Sequence, residues 1–396
     1  MLPSVQSPRL LYVSNMVPGV PGGGEVMVYR HLRGLVQAGW HVTVSAPAVA
    51  VRPLPDGHGF DIRPLPLRRW WWPPAAPRWP VTQRLRARLW ALAIRSDPIW
   101  SEPVPDCVLT VLWGHASLTA AALADSWRVP LAVWVHDLFR EMEMPPPQHR
   151  DCERLTRTVL RRAARVWTVS QELAEDLEPL CRPGVVRPLT PIPEEGAAPP
   201  GGWAPRFRPG PVIAHAGAFH PYHVPYLSAV ATAAAHLGGF LLVLTQAENP
   251  ALAMLRATGV SFRQQNAFCS APEALRFLAS EASALTVMYP FERHSERPRP
   301  LGFPSRLIEF SRLGIPILLA APPDNPLIRW GQRHQWPLLL ERPDWDKLSA
   351  LTAQLAYEPS WNALAVRMRA IAATDCDPVK IQQHFLAEMP RRHPAV

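Results

Sequence analysis

Short runs of apolar residues alternate along the chain with stretches in which apolar positions recur every three or four residues. "RLLYVSN" (9–15) predicts a strand, and "EVMVYRHLRGLVQAG" (25–39) has helical spacing that stops at Gly39. "HVTVSAP", "DCVLTVL", "PLAVWVH" and "RVWTVS" read as further strands. Helices are predicted in "LTAAALADSW", from about Cys152 to Arg162, and in "QELAEDLEPL". Strands that are apolar throughout, separated by amphipathic helices, predict a parallel sheet covered on both faces.

"RPLTPIPEEGAAPPGGWAPRFRPGP", Arg187 to Pro211, is rich in Pro and Gly, lacks periodicity, and reads as a linker. A second alternating series follows: "VIAHAG", "YLSAVATAAAHLG", "FLLVLTQ", "PALAMLRATG", "VSFRQQ", "APEALRFLASEA", "ALTVMY", "PSRLIEFSRLG" and "IPILLA". The expected organisation is α/β. A first doubly wound domain spans 1–190, a linker 191–209 and a second doubly wound domain 210–373. A final helical segment, 374–396, contains "DPVKIQQHFLAEM". The facing carboxyl ends of the two sheets are expected to form a binding cleft.

Length and composition fit two ordinary domains: 396 residues, 48% of them hydrophobic. No apolar run reaches the roughly 20 residues of a membrane-spanning helix, and the first residues do not read as a secretory signal. Cys107, Cys152, Cys181, Cys269 and Cys376 are too scattered for a disulfide framework or a metal site, which fits a reducing cytoplasm. The net charge of +9 is carried by arginine, because lysine occurs only at Lys347 and Lys380. Neither lysine suits a pyridoxal pocket.

Four stretches could do chemistry. In "PGVPGGGEVMVY", Gly22, Gly23 and Gly24 lie between a strand and a helix, where backbone N–H groups can approach a ligand. Their spacing does not match a dinucleotide fingerprint, and the second strand ends in Ser45-Ala46-Pro47 without the acid such a site needs. His136 and Asp137 follow an apolar strand; they suit hydrogen bonding to a sugar, or a capping Asp beside a satisfied His. Ser170 ends a strand and starts a helix, where N-capping alone explains it. In "LGFPSRLIEF", Ser305 and Arg306 open a helix and suit an anion. Glu309, one turn on, suits a ribose diol, and a phosphate beside a diol is what a nucleotide presents. Arg293, Arg297 and Arg299 lie just upstream.

In order and spacing, "GGGE", "DLFRE", "VWTVSQELAEDL", "FPSRLIEF" and "GIPILL" resemble GT-B glycosyltransferases, most closely family 4 in its branch with a Pro-Ser-Lys-like turn. The resemblance spans nearly the whole chain. It implies two Rossmann-like domains and a last helix that crosses back onto the first. It also implies a retaining, metal-independent transfer of a sugar from a nucleotide-sugar donor (UDP- or GDP-sugar) to a glycan or lipid-linked acceptor, with no cofactor. Carried residue by residue, it places the donor nucleotide at Gly217, Ser305, Arg306 and Glu309, with Glu309 on the ribose. Acceptor and sugar fall at Gly22, Gly23, Gly24 and Ser170. His136, Asp137 and Glu309 are the expected catalytic positions. Two positions depart from the family. Leu301 stands where the first glutamate of Glu-x7-Glu belongs, and the turn "HAGAFHPYHVP" has Ala218 and His223 in place of the usual Arg and Lys. A sugar-nucleotide epimerase and a catalytically inactive nucleotide- or partner-binding protein share the same scaffold.

Residues 63–96 hold eight arginines, five tryptophans and no acid. Leu85, Leu89 and Leu92 share one face of a helix starting near Val81, with Trp90 and Ile94 on another. Arginine with tryptophan suits an anionic membrane surface, so the expected location is cytoplasmic, peripheral at the inner face of a membrane. Nucleic acid is not the expected partner.

Overall fold

The computed structural model describes residues 7–19, 23–46, 57–64, 80–96, 103–112, 116–137, 146–194, 206–291 and 301–392. The chain divides into two compact units. The first contains the residues up to Thr190, Pro300–Gly302 and everything from Gln382 onward; the second contains Pro191–Arg299 and Phe303–Ile381.

The first unit is built on a seven-stranded sheet. Its strands are β1 (Arg9–Val13), β2 (His41–Ala46), β3 (Asp61–Pro64), β4 (Cys107–Val111), β5 (Leu131–Val135), β6 (Arg165–Thr168) and β7 (Val186–Pro188). They are arranged β3-β2-β1-β4-β5-β6-β7, and every pair is parallel. All five residues of β4 and of β5 are buried, the two-sided cover expected of strands that are apolar throughout. Chain order reverses between β1 and β4, so the turns after these strands form a topological switch point.

The second unit repeats the plan with six strands: β8 (Val212–Ala216), β9 (Phe240–Thr245), β10 (Phe262–Asn266), β11 (Ala284–Met288), β12 (Ile317–Ala320) and β13 (Leu339–Leu340). Their order is β10-β9-β8-β11-β12-β13, again all parallel, with the switch point between β8 and β11. Asn249, Ser270, Asn325 and Asp344 start four of its helices by accepting a backbone N–H on their side chains. In three of them a proline follows in the first turn, where no N–H is needed.

The stretch read as a linker is ordered at its start. β7 pairs with β6 through Val166↔Val186, and Leu189 and Ile192 are buried beyond it; residues 195–205 lie outside the described residues. The helix Pro80–Ser96 turns a different face inward from the one its leucines suggest. Ala87, Ala91 and Ile94 are buried, whereas Leu85 and Leu92 are 51% and 59% exposed. Alanines at 87 and 91 allow the closer approach, and the leucines point outward beside the exposed Arg88 and Arg95. Among the described residues no helix is long and apolar enough to cross a membrane.

The last helix, Pro378–Ala387, passes into the first unit at Gln382. Phe385 is fully buried there, stacked on Trp134 at 5.3 Å and packed against Trp167 at 4.7 Å. Gln382 ties the helix down. It accepts from His31 Nδ1 (2.8 Å) and returns a bond from its amide to the His31 carbonyl (3.2 Å).

Candidate functional site

In the first unit the turn after β1 is fixed by its own side chains. The Tyr12 hydroxyl donates to the Met16 carbonyl (2.7 Å), and the Met16 N–H donates to Ser14 Oγ (3.0 Å). The helix Gly23–Gln37 then begins, with Gly24 against the His136 ring at the carboxyl end of β5. A Cβ at residue 24 would lie 2.7 Å from His136 Nδ1 and 3.0 Å from Met16 Cε, so only glycine fits without movement. The chain thus joins Gly24 and His136 in one place. Gly23 is the first residue of the helix; Gly22 lies outside the described residues.

His136 is 8% exposed, and neither ring nitrogen has a hydrogen-bond partner among the described residues. Burial pushes its imidazole down to about 4, so it is neutral at pH 7. A neutral imidazole carries one donor and one acceptor, and leaving these buried groups unpaired costs about 1–3 kcal/mol. Below it, Trp134 meets the His136 ring edge-on at 5.6 Å, and His31 meets Trp134 at 4.5 Å. Burial, opposed in part by the bond to Gln382, holds His31 down to about 3. The His31–Gln382 pair has no sequence signal, since the two residues lie 351 positions apart. Asp137 is exposed. Ser170 is fully engaged: it caps the helix Gln171–Leu177 by accepting from Leu173 N–H (3.0 Å) and donates to the Leu301 carbonyl (2.7 Å).

In the second unit the turn after β8 holds Gly217 at φ +104°, a conformation that L side chains rarely adopt. Arg306, in the first turn of the helix Ser305–Ser311, reaches back to this turn and donates from Nη1 to the Ala216 carbonyl (3.2 Å). Its guanidinium then lies 3.5 Å from where a Gly217 Cβ would be, so Gly217 and Arg306 share one site. Desolvation lowers the Arg306 pKa below its ordinary value. Arginine still stays charged at neutral pH.

Three histidines surround this cation. His215 on β8 and His223 are buried, and His220 is exposed. The His215 and His223 rings are 5.1 Å apart, and the His220 backbone N–H donates to His223 Nδ1 (3.0 Å). His220 stacks on Tyr222 at 5.1 Å. Desolvation and then the other cationic groups depress all three imidazoles, His215 to about 3 and His223 to about 2. His215 stands out in sequence only as a polar residue inside the apolar run "VIAHA".

Glu309 does more than its sequence position suggests. Its Oε2 accepts from the Glu194 backbone N–H (3.1 Å), and Arg312 on the same segment bonds the Glu194 carbonyl. The carboxylate therefore anchors the chain entering the second unit. Ser305 is the first residue of the short helix; Arg293, Arg297 and Arg299 lie outside the described residues.

The first unit thus offers a buried neutral imidazole beside a glycine helix start, able to exchange hydrogen bonds with hydroxyls. The second offers a guanidinium and imidazoles at a strand end, suited to an anion. Residues 21–193 match the sequence model of Glycosyltransferase Family 4. No curated protein matches the chain. Among solved structures, HepE (Alr3699) of Anabaena, in complex with UDP and glucose, is 14% identical. That match covers 96% of this chain and 98% of HepE, with a TM-score of 0.63. A glycosyltransferase of Rickettsia africae ESF-5 is 11% identical over 96% of this chain and 97% of its own, TM-score 0.68. WaaG, a glycosyltransferase involved in lipopolysaccharide biosynthesis, is 13% identical over 95% and 98%, TM-score 0.62. Likeness at these identities shows the fold.

Proposed function

We propose that this GT-B glycosyltransferase, similar to family 4 over residues 21–193, transfers a sugar from a nucleotide-sugar donor to a glycan or lipid-linked acceptor. In this reading the configuration at the anomeric carbon is retained and no metal ion takes part. The second unit holds the donor and the first the acceptor. The observation that carries the reading is the guanidinium of Arg306 fixed beside the Gly217 turn at the end of β8, next to the switch point of the second sheet. The UDP complex of HepE supports a uridine diphosphate donor.

Arg306 neutralises charge that builds on the leaving diphosphate, with the Gly217 backbone and the Ser305 hydroxyl completing the cradle. Glu309 accepts the ribose hydroxyls while it anchors Glu194. In the first unit His136 uses its unpartnered nitrogens to orient the transferred sugar. Gly22, Gly23 and Gly24 let sugar and acceptor approach the helix start, with Asp137 at the edge of that site. The acceptor hydroxyl gives its proton to a leaving phosphate oxygen as the new glycosidic bond forms and the sugar–phosphate bond breaks. The protein's share is then position and charge. Exposed Leu85 and Leu92 beside Arg88 and Arg95 suit an anionic membrane carrying a lipid-linked acceptor, at about 1 kcal/mol per basic residue near the surface.

Titrating UDP, GDP and ADP into the protein tests the donor half. One nucleotide should bind, and nucleotide release from its sugar conjugate should follow once an acceptor extract is added. A folded protein that binds none of them would refute the reading. Binding without turnover would favour an inactive binder, a reading the leucine at position 301 supports.

A further inference from the structure

The turn after β8 brings three imidazoles and one guanidinium together, and among the described residues no carboxylate pairs with any of them. Among the described residues, Arg306 and the neighbouring histidines are the charged or chargeable groups that influence His215, His220 and His223. Of the helices packed on this turn, Val224–His236 carries a single titratable group close to it, Tyr226, whose hydroxyl is buried against Thr286. Pro250–Ala257 carries a single charge, Arg256, engaged with Gln264. The helix Ser305–Ser311 brings Arg306 and Glu309, the Glu309 carboxylate being bonded to the Glu194 backbone N–H, and Tyr289 follows β11. Among the described residues the groups that act on the three imidazoles are cationic or neutral, a setting that favours an anion.

The three histidines are not equivalent. His223 Nδ1 accepts the His220 backbone N–H, so its proton sits on Nε2 and a second proton would break that bond. His215 is fully buried, with Nε2 against the Ala218 carbonyl at 3.3 Å and Nδ1 unpartnered. His220 alone is exposed, with its ring stacked on Tyr222. It is the imidazole that can take a proton from solvent.

We propose that His220 and His223, with Arg306, form the diphosphate-binding wall of the donor site, and that His220 takes up a proton from solvent as the diphosphate binds. The inference rests on the donor reading above and deepens it. Without ligand, a second cation beside Arg306 is disfavoured; with a diphosphate between them, both cations are attracted to it. The Arg and Lys positions that here read Ala218 and His223 are thereby replaced by one fixed cation, one neutral donor and one cation made on demand.

The balance is simple. Neutral His220, a proton from the buffer and the doubly charged diphosphate diester give an imidazolium–diphosphate pair. A nucleotide sugar is the right probe, because its diphosphate diester does not titrate near pH 7, unlike the terminal phosphate of a free nucleoside diphosphate. UDP-glucose, GDP-mannose and ADP-glucose are titrated calorimetrically into the full chain at pH 7, in three buffers of different ionisation enthalpy. The donor that binds should show uptake of about half a proton, and its affinity should fall about threefold per pH unit between pH 6.5 and 8. H220Q keeps the ring's hydrogen-bonding reach without its proton chemistry, so it should still bind, more weakly, with no uptake and a flat pH profile. Binding by the parent with no net proton uptake, or uptake unchanged in H220Q, would overturn the proposal and leave the donor reading intact. Failure of the folded parent to bind any of the three would overturn both. If H220Q binds too weakly to titrate, the parent's own proton count decides.

Discussion

The contact between Gly24 and His136 sets up a double-variant experiment that does not depend on knowing the substrates. In Gly24→Ala the new Cβ would stand 2.7 Å from His136 Nδ1, where ordinary contact begins near 3.4 Å, so one of them must move about 0.7 Å. Met16 can swing away, since its Cε and Sδ are the far end of a flexible chain. The His136 ring cannot do so freely, because Trp134 lies edge-on beneath it. Overpacking of this kind costs about 1–3 kcal/mol. In a unit of this size each kcal/mol lowers the midpoint by about 2–4 °C. The assay is thermal unfolding of the parent, G24A, H136A and the double variant, followed by tryptophan fluorescence. H136A removes the obstacle, so G24A should cost little in its background, and the coupling between the two sites should exceed about 1 kcal/mol. Donor affinity should stay within twofold in G24A, because the donor residues belong to the other unit, while turnover falls. An unchanged midpoint in G24A, or strictly additive effects, would refute the argument that the glycine exists to admit this ring.

Glu309→Gln should keep the bond to Glu194 N–H through its amide oxygen and so hold the melting temperature within a degree or two. Glu309→Ala should lose about 1–3 kcal/mol, and donor affinity at least tenfold, by calorimetry. His31, His136, His215 and His223 all have pKa values depressed by folding, so the unfolded chain binds more protons between pH 6.5 and the folded values near 2–4. Stability is therefore full above pH 6.5 and falls as acid is added, by up to about 1.4 kcal/mol per pH unit per group. Melting temperatures at pH 7 and pH 5 should differ by several degrees, and equal values would remove these histidines from the stability account. Leu85→Ser with Leu92→Ser should leave folding intact and halve or better the flotation with vesicles rich in anionic phospholipid; undiminished flotation would clear this helix of membrane contact.

Much of the framework is legible in sequence because the central strands are apolar on both faces. β1, β2, β4, β5, β6, β8, β9, β11 and β12 are all marked by such runs. The edge strands β3, β7 and β13 are short or polar and leave no run to read. Beyond Ala320 the helices Pro326–Arg333 and Trp345–Leu355 are capped by Asn325 and Asp344, signals that are plain only once the boundaries are known, and Glu358–Asp375 starts at Tyr357 without a side-chain cap. In the helix Pro80–Ser96 leucine spacing marks a face but not its direction: the small Ala87 and Ala91 go in with Ile94, while Leu85 and Leu92 stay exposed. At the candidate sites, residue types were readable and their partners were not. Glu309 stands out as a lone acid in an apolar helix, yet its partner Glu194 is 115 residues away. Ser170 reads as a cap, which it is, while its second bond to Leu301 spans 131 residues.

The passage of the last helix into the first unit has a consequence for synthesis. Phe385 fills the aromatic centre formed by Trp134 and Trp167, so the first unit's core is incomplete until Phe385 itself has been made. At translation rates of about 5–20 residues per second, the interval between Thr190 and Gln382 lasts on the order of 10–40 s. Throughout that interval two buried indoles lack their cover, and the nascent chain presents a sticky aromatic surface. A chain that stops short of Phe385 would thus fail in the first unit, the part of the molecule that was made first.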